Sequence, residues 1–314
     1  MPLERIFSEE LIDKLTCTQE SDLGGMIRNL SLPKRSPIHQ EYGKATVEAL
    51  PAYKELLEHA PFVLVALGKP QLLRYHSATL LRQTLRAKRC VSCLDFGAFL
   101  FLPTCERVCF ECLHQNYALR VTTLNMARKC FHLTNNHLKK LPILHSIPST
   151  YGVMLHVSRR KVYRLVHGST ENVANLMPIS PPQGMSLREF WIFKWFHKAP
   201  LEPPGCDLSR MPERSNLVED DFGGMASIRM PYLSGTSADS GRLCKGCRRV
   251  KALHSQGLLP AAVLEGLAPR GIRPSRPLRA LTTRLHCREG FVEHIKTCYG
   301  ANKLLTGWEA ERMG

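Results

Sequence analysis

Cys90-Val-Ser-Cys93 and Cys109-Phe-Glu-Cys112 stand fifteen residues apart. A Cys-x-x-Cys turn presents two thiolates to one point, and two such turns complete a tetrahedron around a Zn²⁺ ion. The separation falls within the spacing of structural zinc sites built from two such pairs. Between them, Leu94 to Pro103 reads as a turn and a short apolar strand, long enough to return the second pair to the first. The competing reading is four cysteines buried separately. Four protein ligands leave no open coordination position, so the chemistry implied is structural rather than catalytic.

Cys244-Lys-Gly-Cys247 is a further knuckle, and His294 and Cys298 follow later in the chain, four residues apart. On a helix, residues at that spacing share a face and reach one ion. Together they make a set of three cysteines and one histidine, with Phe291, Ile295 and Ala301 expected beneath it. His286 or Cys287 could substitute for a ligand, and the competing reading is a surface histidine beside buried cysteines. The long gap between the halves excludes a compact finger of two cysteines and two histidines. Structural zinc contributes on the order of 10 kcal/mol to a small fold, so such a site would staple the C-terminal helix across a long insert. Cys105 could compete for the first metal. The Cys-x-x-Cys geometry favours Cys109 with Cys112, which leaves Cys105 as a buried or spare thiol. Cys17, Cys130 and Cys206 have no partner in the sequence.

The expectation is therefore two structural zinc ions and no catalysis. There is no nucleophile elbow, phosphate-binding loop or dinucleotide motif. The acidic residues are scattered rather than clustered with histidines. A formal net charge of +16 bears on association rather than fold. Arg82, Arg86, Lys88 and Arg89, then Arg248, Arg249 and Lys251, then the basic residues from Arg270 to Arg279, could contact phosphates. No recognition helix or stacking platform accompanies them. The N-terminal residues carry no signal-type apolar run, and the longest apolar stretches are too short to span a bilayer. Twelve cysteines then point to metal binding or burial rather than disulfides, and to a cytoplasmic or nuclear protein.

The elements that must position these residues are mostly helical. Ser8 caps a helix with Glu9 and Glu10 in its first turn and Leu11, Ile12 and Leu15 on one face. A second start signal at Ser21-Asp22 precedes Leu23, Met26, Ile27 and Leu30. Residues 45–89 read as helix interrupted near Pro51 and Gly68-Lys69-Pro70, with Leu73, Leu80, Leu81 and Leu85 as a stripe. Thr123 caps a helix from Leu124 to Phe131, Thr134 caps a short turn containing Leu138, and residues 154–166 alternate as a strand or hairpin. Phe190 to Phe196 form an aromatic cluster. Residues 201–241 read as a flexible linker, and residues 268–280 as an extended Arg- and Pro-rich insert.

The run from Cys90 to Cys112 resembles the cysteine-rich core of filamentous-fungal F-box proteins. Leu119-Arg-Val-Thr-Thr-Leu, Leu141 to Tyr151 and the ending Gly290-Phe-x-x-His-x-x-x-Cys298 are similar too. The resemblance implies an N-terminal F-box that docks on the Skp adaptor of a cullin-type ubiquitin ligase, and a body that selects a protein substrate. Leu3, Ile6, Leu11, Ile12, Leu15 and Leu23 would then be the partner-binding anchors, since short amphipathic helices lay such side chains into a partner groove. An ordinary helical core is the competing use for them. The box is degenerate: Ile6-Phe7 replaces the usual Leu-Pro entry, polar residues follow Leu15, and Pro33 and Pro37 fall where a third helix belongs.

The expected fold is mainly α with small zinc-stabilised β-hairpins. Its divisions are an F-box-like segment at 1–45, a helical body with the four-cysteine core at 46–200, the linker at 201–241, and the three-cysteine, one-histidine segment at 242–303. The leading functional expectation is a non-catalytic F-box-type adaptor. The alternatives are a zinc-containing basic nucleic-acid binder, or a folded F-box relic that binds no adaptor.

Overall fold

The computed structural model describes residues 8–17, 50–116, 119, 121–131, 134–139, 141–147, 149–152, 156–159, 162–167, 223–268 and 273–313. It is mixed helix and sheet, with helix in excess. The chain divides into two units. One joins Met1–Asp22 to Asp239–Gly314, and the other is Leu23–Ala238. Met1–Asp22, the first part of the division expected at 1–45, thus groups with the C-terminal residues. The second predicted helix, at residues 21–30, and the aromatic cluster at 190–196 lie outside the described residues.

In the central unit, prolines start helices rather than merely interrupting them. Pro51 and Pro61 sit in the first turns of α2 (Pro51–His59) and α3 (Pro61–Gly68), where the missing N–H has no intrahelical partner to lose. α4 (Ala78–Arg86) is capped by Ser77, whose Oγ accepts from Leu80 N at 3.1 Å. It packs on α2 through buried Leu56, Leu81 and Leu85. Glu55 of α2 accepts two hydrogen bonds from Arg82 and two from Arg86, all between 2.9 and 3.1 Å.

β1 (Phe99–Phe101) is the short apolar strand predicted between the knuckles, and it pairs with β2 (Glu106–Val108) as a hairpin, with Phe99 opposite Val108. β1 is also paired, antiparallel, with β8 (Ser227–Arg229), so Leu100 faces Ile228. β3 (Val121–Thr123), β4 (Ile143–His145) and β7 (Arg164–His167) make a second antiparallel sheet in the order β3-β7-β4. β5 (Ser149–Gly152) and β6 (His156–Arg159) pair separately. After β2 and β3 come α5 (Phe110–Gln115) and α6 (Leu124–Phe131). The short α7 (Asn135–Lys139) is capped by Thr134, whose Oγ1 accepts from His137 N at 3.3 Å.

Residues 223–239, expected within the linker, instead form a 3-10 turn, β8, β9 (Tyr232–Ser234) and β10 (Ser237–Asp239). Three apolar side chains spread through polar sequence suffice for this: Ile228, Met230 and Leu233 are 4%, 1% and 2% exposed. The backbone closes over them with Leu102 N donating to Ala226 O at 2.8 Å and Met230 N to Ala98 O at 3.0 Å. Residues 201–222 lie outside the described part.

Arg107 of β2 ties these elements together. It is 2% exposed. Its Nε donates to Thr84 O at 2.6 Å, its Nη1 to Gly97 O at 2.6 Å and Met230 O at 2.9 Å, and its Nη2 to Leu85 O at 3.1 Å and to Pro231 O. All five guanidinium donors are used. Thr84 and Leu85 lie at the C-terminal end of α4, where the carbonyls carry partial negative charge. Burial lowers the Arg107 pKa to about 10, so the group stays charged at neutral pH. Gly97 makes room for it: a Cβ there would sit 2.9 Å from Arg107 Cβ.

In the other unit, α1 (Glu9–Leu15) has the predicted Ser8 cap, with Oγ accepting from Leu11 N. The unit continues through α8 (Lys245–Ser255), α9 (Ala261–Leu267), α10 (Ser275–Thr283), α11 (Arg288–Thr297) and α12 (Tyr299–Met313). The extended insert is corrected by α10. Pro274 and Pro277 occupy its entrance and first turn, where proline is tolerated, and Leu278 and Leu281 then supply an inward face. Among the described residues no helix is long and apolar enough to cross a membrane.

Replacing Arg107 by Lys leaves several buried carbonyls without donors, because one ammonium cannot reproduce a five-donor fork. A loss of at least about 3 kcal/mol in denaturant unfolding is expected, and a change below about 1 kcal/mol would contradict this role. Hydrogen bonds from Arg86 and Arg82 lower the Glu55 pKa from 4.5 to about 2. The folded-state pKa is depressed, so its contribution is full above pH 4.5 and disappears as pH falls toward 2. Glu55→Gln should flatten the stability–pH curve in that window, and an unchanged slope would refute the assignment.

Candidate metal centres

The first centre begins with a tight turn. Cys90 N donates to Asp95 O at 2.7 Å, Leu94 N to Cys90 O at 3.1 Å and Gly97 N to Lys88 O at 3.0 Å. Leu94 closes the turn with φ +63°, a conformation that costs a non-glycine residue roughly 1 kcal/mol. Ser92 N points at Cys90 Sγ, 3.4 Å away, and Ser92 Oγ accepts from Asn116 Nδ2 at 2.9 Å. The second pair opens α5. Cys109 is its N-cap, with Cys112 N donating to Cys109 Sγ at 3.4 Å, so the positive end of the helix faces the sulfur. Val91 N donates to Arg107 O at 2.8 Å and holds the two turns in register.

Cys90, Cys93, Cys109 and Cys112 bring four Sγ atoms within 4.8 Å of one another, with Cys93 and Cys109 3.6 Å apart. All four are free thiols, and this separation is far beyond a disulfide bond of about 2.0 Å. Hydrogen bonds from Cys109, Cys112 and Cys93 hold the Cys90 pKa far below the thiol range. The Cys109 thiol is pushed up by its bonds to Cys112, Cys90 and Cys93 and by burial. A dry cluster of this kind resists holding several thiolates at once, and a divalent cation removes that conflict.

Cys244, Cys247, His294 and Cys298 make the second centre, again within 4.8 Å of one another. Cys298 Sγ lies 3.9 Å from Cys244 Sγ and 4.0 Å from Cys247 Sγ, while Cys247 Sγ lies 3.2 Å from His294 Nε2. Bonds from Cys244 and Cys247 hold the Cys298 pKa down, and bonding to Cys244 and Cys298 together with burial pushes Cys247 up. The predicted supports Phe291, Ile295 and Ala301 are fully buried below the site.

The open alternatives resolve as supports. Cys287 caps α11, its sulfur accepting from Gly290 N at 3.4 Å. His286 stacks on His294 with ring centroids 4.4 Å apart, and burial with the nearby His294 lowers its pKa to about 3. It buttresses the ligand as a neutral ring. Cys105 lies outside both groups, and burial raises its thiol pKa.

Two glycines that spacing arguments passed over are as constrained as the ligands. Gly246, inside the knuckle, meets Gly300 where α8 crosses α12. A Cβ on Gly246 would sit 2.7 Å from Ala301 Cα and 2.8 Å from the Gly300 carbonyl carbon. The available signal was a glycine two residues from a ligand on each side, Cys244-Lys-Gly-Cys247 and Cys298-Tyr-Gly300.

The partner anchors have a different fate. Ile12 and Leu15 are 2% and 0% exposed. They share a core with Cys244, Cys247, Phe291, Ile295, Cys298, Ala301 and Leu305, and Leu11 packs against its edge. Their apolar face is used within the chain, as in the ordinary-core reading. Leu3, Ile6 and Leu23 lie outside the described residues. Of the candidate phosphate contacts, Arg82 and Arg86 are both paired with Glu55. Comparison with known proteins finds no matching family model, curated protein or solved structure.

A Gly246→Ala variant must push α8 and α12 apart at the backbone. Its metal stoichiometry is expected to fall by one ion per chain, with the four-cysteine centre retained. Full stoichiometry at wild-type affinity would show that the crossing tolerates a methyl group.

Proposed function

We propose that this chain is a non-catalytic protein-binding adaptor, each of whose two units is closed around one structural zinc ion. The observation that carries the non-catalytic part is ligand saturation. Each centre offers four protein donors, and every cysteine among them is at most 9% exposed. A catalytic zinc keeps a position for water or substrate, whereas a four-ligand set closes the coordination sphere.

The donors suit zinc. Zn–S bonds of about 2.3 Å in a tetrahedron place sulfurs ~3.8 Å apart, against 3.6, 3.9 and 4.0 Å here. The 3.2 Å between Cys247 Sγ and His294 Nε2 is a few tenths of an ångström short of the same geometry. Thiolate-rich sets with one imidazole select zinc over the oxygen-preferring cations. Bound zinc neutralises the thiolates and cross-links the elements that carry them.

The adaptor part rests on the resemblance of the cysteine-rich core to fungal F-box proteins. The partners it implies are a Skp-type adaptor of a cullin ubiquitin ligase and a protein substrate. Internal pairing of Arg82 and Arg86 with Glu55 weighs against the nucleic-acid alternative, since it removes two of the proposed phosphate contacts.

Metal analysis and capture by a Skp adaptor test the two parts separately. Two zinc ions per chain and capture in at least one metal state are expected. Zinc without capture in any state would leave a folded relic and end the adaptor reading. A chain free of zinc after purification under reducing, chelator-free conditions would end the zinc part. Binding to DNA or RNA that weakens steeply with salt would replace the proposal with the nucleic-acid alternative.

A further inference from the structure

α1 closes on the second metal centre through its backbone as well as its side chains. Thr16 pairs with Cys244, itself a ligand, in an antiparallel bridge. Cys17 N donates to Leu243 O at 2.8 Å, and Lys245 Nζ reaches Lys14 O at 2.7 Å. Glu9 forms an ion pair with Arg288 at the start of α11. On the other side of the same strand-like segment, Arg242 and His286 exchange backbone hydrogen bonds of 2.7 and 3.0 Å. Residues 242–244 are therefore held between residue 16 and residue 286, and the knuckle starts at the last of them. Leu15 and Ile12 complete the apolar floor under Cys244, Cys247 and Cys298.

We infer that the second metal centre is a latch on the N-terminal helix: with metal bound, the anchors Leu11, Ile12 and Leu15 are held inside the chain, and metal loss releases them to a partner. Whatever stabilises the floor stabilises the ligand geometry, and linkage makes the effect reciprocal. Metal binding must favour the docked helix by the same factor by which docking tightens the metal. Any partner that grips this apolar face competes with the C-terminal unit. That last step rests on the adaptor reading, whereas the coupling between helix and metal does not.

The test uses the full chain. Leu15→Asp should weaken zinc at the second centre by about tenfold or more, through loss of a buried leucine, and leave the first centre unchanged. Competition with a chromophoric chelator reads both affinities in one titration. Ile12→Ala, which only shortens a side chain, should act in the same direction to a smaller extent and covers the case in which Leu15→Asp does not fold. In the unmodified chain, hydrogen exchange at the amides of Ile12, Thr16 and Cys17 should quicken at the chelator step that empties the second centre. Unchanged second-centre affinity in the variants, or exchange indifferent to that step, would overturn the latch. Capture by a Skp adaptor should occur with the second centre emptied and fail with it filled. Equal capture in both states would overturn the latch and keep the adaptor reading. No capture in either state, with the coupling intact, would end the adaptor reading and the release step and keep the coupling between helix and metal.

Discussion

Each unit of this protein gathers four metal-ligating donors in a dry site, where several thiolates cannot coexist without a cation. Burying one unpaired ionised group is costly, and burying several of one sign is prohibitive. The local backbone prepares for the charge nonetheless. Amide N–H groups of Ser92 and Cys112 aim at ligand sulfurs, and Cys109 sits at a helix N-terminus. A metal held there would be a term on which the surrounding packing is conditional. The core beneath the second centre is small, and three of its nine buried members are the candidate ligand cysteines themselves. Small cores of that kind need a cross-link to hold them.

The central unit handles a buried charge of the opposite sign by different means. Arg107 has no carboxylate among its hydrogen-bond partners. Five carbonyl oxygens, from a helix end, a turn and the segment before β9, surround it. Dipoles fixed by the fold replace water, and no second ion must be desolvated, which is the weakness of buried ion pairs. The arrangement also has a mechanical effect. Arg107 stands two residues before Cys109, so the residue that fixes the hairpin on α4 and on residues 230–231 also fixes where the second knuckle emerges.

Legibility in the sequence follows the range of the interactions. The two groups of four candidate ligands could be read because knuckle spacing and the four-residue helical repeat are local geometry. The Ser8 and Thr134 caps and the short strand between the knuckles are local too. What could not be read depends on partners far away in the chain. β8 looks like linker because only three of its residues pair, and they pair with a strand more than a hundred residues earlier. Arg107 looks like one of many surface arginines until residues 123 and 124 positions later close over it. Gly246 and Gly300 look like turn residues until two helices cross on them. The apolar stripe of α1 was plain, but what it faces was not. A stripe states that burial is needed and is silent on whether the partner is another protein or the far end of the same chain.

That last point bears on how the C-terminal unit comes to exist. α1 has seven residues, well below the length at which a helix holds by itself in water. Its contacts reach across 231 residues, and loop closure over such a span offers nothing until the receiving surface has formed. The receiving surface can form first: the knuckle, α11 and α12 lie within one stretch of chain, and a metal bound there would assemble the floor that α1 covers. The N-terminal helix is thus conditional on the C-terminal residues twice, for its burial and for being a helix at all. A competing partner cannot simply take over a preformed helix, because it must fold the segment as it binds and supply the ordering free energy that the C-terminal unit otherwise provides.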